Sequence, residues 1–105
     1  RRRAGGRRPG PPGRALLTMP VRHVVVSAHN GVHARPVAEL VRLAQAHELP
    51  VTLRTAGGTA VDLRSVLAVM DLALAPGDAV TLETPPGPSS ERVLAQLALV
   101  LAPDA

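Results

Sequence analysis

A histidine stands where a predicted strand gives way to a predicted helix. Val21–Ser27 is rich in β-branched residues, Asn30-Gly31 breaks the strand, and the apolar residues take helical spacing after His33. His33 is therefore expected at the start of a helix, with Arg35 in the first turn. A helix N-terminus has unpaired N–H groups and the positive end of the helix dipole, and both attract anions such as phosphate. The pattern places a nucleophilic imidazole beside a site for phosphate.

The chemistry that this arrangement allows is phosphoryl transfer through a phosphohistidine. Near the positive end of a helix the imidazolium form is disfavoured, so His33 is expected to be neutral and to hold a free lone pair. That nitrogen can attack phosphorus, and the resulting phosphohistidine can pass the phosphoryl group onward. The backbone N–H groups of Ala34 and Arg35 can receive phosphate oxygens, and the Arg35 guanidinium can add charge-assisted hydrogen bonds.

The spacing alone leaves other roles open for His33. The residue can be an ordinary N-cap or surface histidine. His29 and His33 could chelate a metal ion, but His29 precedes the turn and no carboxylate is near in sequence, so no metal site is predicted. A serine hydrolase would need Ser27 or Ser65 as its nucleophile together with an orienting acid, and nothing beyond their presence marks either serine for that role.

Composition excludes several classes of protein. The chain has 105 residues, which favours a single domain, and it contains neither cysteine nor aromatic residues. Disulfides, thiolate metal sites and aromatic platforms for base stacking are therefore excluded. No apolar run approaches the ~20 residues that a membrane-spanning helix needs.

The basic character of the chain lies in its first segment. Residues 1–19 carry six arginines and no acid, whereas residues 20–105 carry six arginines and eight acids, which gives net charges of +6 and −2. Residues 1–19 are predicted to be a disordered Arg/Gly/Pro-rich tail. The tail is open to three interpretations: a basic arm for RNA or anionic lipid, a targeting segment, or an extension upstream of a true start at Met19. Residues 20–105 are predicted to form one domain, and their charge gives no reason to expect nucleic acid.

The body of the chain alternates between strand and helix patterns. Strands are expected at Val21–Ser27, Val51–Thr55, Thr59–Leu63 and Ala79–Glu83, and helices at Ala34–His47, from Val66 to near Leu72, and from Ser89 or Ser90 to about Leu101. Ser65 has the position of an N-cap for the short helix, as Ser89 or Ser90 has for the last. The order β-α-β-β-α-β-α, with one apolar stripe on each long helix, predicts an α+β open-faced sandwich of an antiparallel sheet with the helices on one face.

Two motifs in this body resemble a known family. Asn30–Pro36 reads Asn-Gly-Val-His-Ala-Arg-Pro and closely resembles the active-site signature of HPr, the histidine-containing phosphocarrier family of the phosphoenolpyruvate-dependent sugar phosphotransferase system. Arg64–Met70 is similar to the family's second-helix motif, in which a basic residue precedes a serine and an apolar helix. The resemblance covers residues 21 to about 101. It implies a four-stranded antiparallel sheet backed by three helices.

The resemblance also implies a mechanism. Phosphorylated enzyme I would phosphorylate the Nδ1 atom of His33, which would transfer the phosphoryl group to a histidine of an enzyme IIA, with Arg35 beside the phosphate. Such a protein is a carrier rather than an enzyme with its own substrate. It is expected to be a cytoplasmic monomer that needs no cofactor and makes no contact with a membrane.

The family's partners dock on the first two helices. In this sequence the docking surface would comprise Ala34, Ala38, Val66, Leu67 and Met70. Val69, on the same short helix, is expected in the core. Ser65 falls on the family's regulatory serine, which a dedicated kinase phosphorylates in some bacteria, although an N-cap role explains the residue equally well. A regulatory kinase or a transcription regulator is a further candidate partner.

Two alternatives to a carrier for sugar uptake stay open. One is a specialised HPr-like carrier or regulatory module, in a nitrogen-related chain or in a dihydroxyacetone kinase system. The other belongs to a different class, an RNA-binding or docking module that uses the Arg-rich tail.

The second motif departs from the family pattern where its helix ends. Ala73 stands where the family usually has a glycine, and if that position needs a left-handed backbone the alanine costs on the order of 1 kcal/mol. Asp71 puts a negative charge at the unfavourable C-terminal end of the same helix. His29, just before the signature, is unusual and is expected to be a solvated loop residue.

Overall fold

The computed structural model describes residues 19–27 and 34–103. The signature residues Ala28–His33 lie outside the described residues, as does the tail up to residue 18. The described elements are strands β1 (Val21–Val25), β2 (Thr52–Thr55), β3 (Ala60–Asp62) and β4 (Ala79–Glu83), and helices α1 (Ala34–Ala46), α2 (Val66–Asp71) and α3 (Ser90–Leu101). The predicted order β-α-β-β-α-β-α is confirmed.

The four strands form one antiparallel sheet in the order β1-β4-β2-β3. β4 lies inside the sheet, where Val80 pairs with Val24 of β1 and Leu82 pairs with Leu53 of β2. β2 and β3 form a hairpin through the turn Ala56-Gly57-Gly58, in which Gly58 has a φ of +95°. The antiparallel sheet is confirmed, and the structure supplies the pairing order that the sequence pattern could not.

One apolar core lies between the sheet and the helices. The alternating burial of a strand with one buried face runs through the end of β1 into the next residue, with Val24 and Val26 buried and Val25 exposed. The predicted stripe of α1 is wholly buried, and that of α3 is buried except for the half-buried Val100. The buried stripe residues are Val37, Leu40, Val41 and Ala44 of α1 and Val93, Leu94, Leu97 and Leu101 of α3.

The ends of two elements differ from the sequence-based expectation. β1 stops at Val25 because the N–H groups of Val26 and Ser27 donate to the carbonyls of Asp78 (2.8 Å) and Leu101 (2.9 Å), outside the regular ladder. Ser89 occupies the N-cap position of α3, but its side chain makes no capping hydrogen bond. The Ser90 hydroxyl donates instead to the Pro85 carbonyl at 2.7 Å. The prediction of a serine side-chain cap for α3 is therefore wrong.

The chain leaves α2 through a left-handed residue. Ala73 has a φ of +49°, and no other non-glycine residue in the described ranges has a positive φ. Its N–H donates to the Met70 carbonyl at 3.1 Å, which closes the last turn of the helix. A glycine adopts this backbone conformation without strain, because it carries no Cβ atom to crowd the neighbouring carbonyl.

Replacing Ala73 by glycine is expected to stabilise the protein. The Ala73→Gly variant relieves the left-handed strain, and we expect its free energy of unfolding to rise by about 0.5–1 kcal/mol in urea titrations. Ala75→Gly is the matched control, because Ala75 is also exposed but has no positive φ. The control should lower stability by a few tenths of a kcal/mol through the added freedom of the unfolded chain. Destabilisation by Ala73→Gly would contradict the strain argument.

Candidate functional site

The first helix begins directly after the candidate nucleophile. α1 starts at Ala34, and Pro36 is tolerated in its first turn because the N–H groups there have no partner within the helix. Arg35 is exposed at this end of the helix. His33 itself lies outside the described residues, so the predicted start of the helix is confirmed while the position of the imidazole stays a prediction.

Ser65 caps the second helix as expected. Its backbone is extended, with φ −103° and ψ 110°, and its Oγ accepts a hydrogen bond from the N–H of Ala68 at 3.2 Å. This bond satisfies one of the free N–H groups of the first turn. The Ser65 side chain remains exposed to solvent.

The apolar residues of α2 divide between the core and the surface. Val69 is buried, as predicted. Val66, Leu67 and Met70 have 47%, 78% and 46% of their surface exposed. Exposure of this size is unusual for three large apolar side chains on a six-residue helix, and an exposed apolar patch of this kind is typical of a protein–protein contact.

The end of α1 lies beside the start of α2. The two helices pack against each other, and the Gln45 side chain of α1 donates to the Arg64 carbonyl at 3.2 Å, just before α2 begins. Ala38 is exposed on α1. The docking surface, the name used here for the predicted set Ala34, Ala38, Val66, Leu67 and Met70, stays a prediction.

An ion pair holds the segment that leads into α2. Asp62 accepts two side-chain hydrogen bonds from Arg64, from Nε at 3.2 Å and from Nη2 at 3.0 Å, and one from the Arg64 backbone N–H at 2.8 Å. These bonds brace the residues immediately before Ser65. The sequence analysis did not predict this ion pair. An acid and an arginine two residues apart at the end of a strand could have indicated it.

The ion pair also affects titration. The side-chain hydrogen bonds from Arg64 hold the pKa of the Asp62 carboxyl below its ordinary value. A carboxyl with a lowered pKa in the folded state stabilises the protein above its ordinary pKa, and this contribution is lost as the pH falls through the lowered value. Because both side chains are nearly half exposed, solvent screening keeps the contribution small.

Within residues 19–27 and 34–103, no group of three or more His, Asp or Glu side chains is placed to hold a metal ion. No helix in these same ranges has the length and apolar character needed to cross a membrane. A hollow of about 620 Å³ beside α2 is lined in part by Thr59, Ala68 and Leu74 and includes none of the predicted site residues.

Similarity to known proteins agrees with this geometry. The family model described as "PTS HPr component phosphorylation site" matches residues 21–102. The phosphocarrier protein HPr of Streptomyces coelicolor is 37% identical over 84 residues, which cover 80% of this chain and 89% of the relative. The phosphocarrier protein NPr of Escherichia coli K12 is 38% identical over 65 residues, or 62% of this chain and 71% of the relative.

A solved structure shows the same fold. The crystal structure of the phosphocarrier protein HPr from Bacillus anthracis superposes with a TM-score of 0.72 at 31% sequence identity, covering 80% of this chain and 98% of that protein. A four-stranded antiparallel sheet with three helices is the fold that this chain shares with that phosphocarrier. The chain belongs to the HPr family of the phosphotransferase system.

Proposed function

We propose that this chain accepts a phosphoryl group on His33 Nδ1 from phosphorylated enzyme I and passes it to a histidine of an enzyme IIA in sugar uptake. The observation that carries the proposal is the start of α1 at Ala34, directly after His33, with Arg35 exposed in the first turn. In each step a P–N bond breaks on the donor histidine and one forms on the acceptor, so no cofactor is needed.

The surroundings of His33 stabilise the charge that moves with the phosphoryl group. The N–H groups of Ala34 and Arg35 and the positive end of the α1 dipole receive phosphate oxygens, and the Arg35 guanidinium adds charge-assisted hydrogen bonds. Phosphoryl transfer depends mostly on positioning the transferring group and on stabilising its negative charge. The backbone N–H groups, the helix dipole and the Arg35 guanidinium would supply both. Arg35 is therefore expected to act on the rate of transfer and not on the fold.

An Arg35→Ala variant tests this role. Transfer from phosphorylated enzyme I should slow by roughly 10- to 100-fold, because one charge-assisted contact to the transferring group is lost. The free energy of unfolding should change by no more than about 0.5 kcal/mol, since Arg35 is exposed. The measurement is a quenched-flow time course of phosphorylation. Arg42→Ala is the matched control on the same helix, because Arg42 is exposed and pairs with Glu39. Equal rates for the two variants would contradict the role of Arg35.

The proposed docking surface would bind two protein partners, one after the other. Enzyme I and enzyme IIA would each cover Val66, Leu67 and Met70 together with Ala34 and Ala38. Apolar side chains, a methionine among them, suit a surface that accepts more than one partner. The clustering of three exposed large apolar residues on one short helix supports this surface.

Ser65 is the proposed point of regulation. Its exposed hydroxyl lies at the N-terminus of α2, within the surface that the partners would cover. A phosphoryl group on Ser65 would add a charge of about −2. This charge is stabilised by the N-terminus of a helix, but it opposes the burial of the docking surface against an apolar partner surface. A regulatory kinase that modifies Ser65, or a transcription regulator that binds the modified form, would act by this means.

The proposed carrier domain is residues 20–105, acting as a cytoplasmic monomer. The family match over residues 21–102 and the single core support these bounds. A specialised carrier is the second candidate, favoured by the similarity to proteins named NPr as well as HPr. Transfer rates to an enzyme IIA for sugar and to one of a nitrogen-related chain would distinguish the two functions.

A further inference from the structure

The hollow of about 620 Å³ beside α2 includes none of the residues of the proposed carrier site. The half-buried Val61, Ala68 and Leu72 give it an apolar wall. Asp71 and Asp78 also line it, and no arginine of the described ranges does. The hollow therefore suits a ligand that is apolar in one part and positively charged in another.

The end of α2 adds to the negative charge of the hollow. Asp71 is the last residue of α2 and lies at the negative end of the helix dipole, where a carboxylate is unfavourable unless a cation is near. Asp78 accepts a hydrogen bond through Oδ2 from the Ala75 N–H at 2.9 Å, and this bond helps to hold the turn before β4. A guanidinium seated in the hollow would offset both carboxylates.

The segment of this chain with the complementary charge is its tail. Residues 1–19 carry six arginines and no acid, whereas residues 20–105 have a net charge of −2. Within the tail, Arg7–Pro12 reads Arg-Arg-Pro-Gly-Pro-Pro, which places two positive charges beside prolines of the kind that pack on apolar grooves. Two other hollows have Arg22 or Arg92 in their linings, and these charges would repel the tail.

The tail is long enough to reach the hollow. The Pro20 carbonyl accepts a hydrogen bond from the Thr84 N–H at 3.3 Å, so the tail joins the body at the end of β4. The hollow lies at the start of β4, where Ala79 lines it. Strand geometry puts these two points roughly 20 Å apart. Arg8 stands eleven residues before Met19, and eleven extended residues span up to about 36 Å.

We propose that Arg7–Pro12 docks in this hollow of its own chain, with its arginines at Asp71 and Asp78 and its prolines on the apolar wall. The contact is intramolecular, so the tail is present at an effective concentration on the order of 1 mM. A hollow that binds the segment with a dissociation constant of about 1 mM is then occupied about half of the time. The inference goes beyond the proposed carrier function, because it involves neither His33 nor Arg35.

The test attaches a nitroxide spin label to the tail of the full chain. The chain has no cysteine, so an Ala4→Cys variant takes the label at one position. At low salt the amide NMR signals of Asp71, Leu72 and Asp78 should lose about half of their intensity relative to the reduced label. Raising sodium chloride to about 0.5 M should restore most of this loss, because salt screens the attraction between the charges.

Two matched pairs of variants of the labelled chain locate the contact. Asp71→Asn should reduce the loss of intensity severalfold, whereas Glu48→Gln removes an exposed acid that does not line the hollow and should leave it unchanged. Substituting glutamine for both Arg7 and Arg8 should reduce the loss more than substituting it for both Arg1 and Arg2, which removes the same charge.

Four results would overturn the proposal. The first is equal broadening in Asp71→Asn and Glu48→Gln, and the second is equal loss in the two double variants. The third is broadening that grows with protein concentration, which would place the tail on a second copy of the chain. The fourth is a label that broadens no signal until RNA is added, which would assign the tail to nucleic acid.

Discussion

A His33→Ala variant should take up essentially no phosphoryl group when phosphoenolpyruvate and enzyme I are supplied. The unaltered protein should carry a single adduct that is labile in acid and stable in base, as expected for a phosphohistidine. Removing the nucleophile should lower labelling by roughly a thousandfold or more, because the proposed covalent intermediate can then no longer form. Intact-protein mass spectrometry after a timed reaction measures this loss.

The matched control for this variant is His23→Ala. His23 is an exposed histidine on β1, and its Nδ1 lies 3.1 Å from the Thr81 hydroxyl. Its loss should leave labelling at the level of the unaltered protein. If His33→Ala is labelled as well as His23→Ala, the assignment of the nucleophile is wrong.

Placing a charge on the docking surface should slow transfer without harming the fold. In Leu67→Asp a side chain that is 78% exposed gains a carboxylate in the centre of the proposed partner contact. Phosphorylation by enzyme I should slow by roughly 10- to 100-fold at low concentrations of enzyme I, as for the loss of a central interface residue. Stability should be kept or slightly raised, because an acid in the first turn of a helix interacts favourably with its dipole.

The control for the charge itself is Leu99→Asp. Leu99 is 59% exposed on α3, outside the proposed docking surface, and its substitution should leave the rate of transfer unchanged. A rise in the concentration of enzyme I should restore much of the rate of Leu67→Asp, because the defect lies in binding and not in chemistry. Equal rates for the Leu67 and Leu99 variants would contradict the location of the docking surface.

Periodicity predicted the helices and their buried faces well. Val37, Leu40, Val41 and Ala44 recur at helical spacing because one face of α1 must be apolar to pack on the core, and all four are buried. The alternation of Val24, Val25 and Val26 predicted the buried side of β1 for the corresponding reason. The left-handed exit at Ala73 was foreseen only because the family has glycine there.

The details that failed depend on how the connecting segments fold, which the periodicity of helices and strands does not specify. Ser89 and Ser90 both have the residue type of an N-cap, and nothing local shows that the Ser90 hydroxyl bonds to Pro85 instead. The burial of His47 also escaped prediction, since a histidine after an amphipathic helix usually points to solvent. It is buried because the residues after β4 fold back beside the end of α1. The order of the strands depends on loop paths, which local pattern does not specify.

The central claim is that His33 carries the phosphoryl group, and the direct test is to locate that group in the phosphorylated protein. The unaltered chain is incubated with phosphoenolpyruvate and enzyme I, digested at neutral or alkaline pH, and the modified residue is assigned by tandem mass spectrometry, with phosphorus NMR to identify the ring nitrogen. We predict one phosphoryl group on Nδ1 of His33. A phosphoryl group on His23, His29 or His47, or a chain that takes up none while folded, would contradict the account.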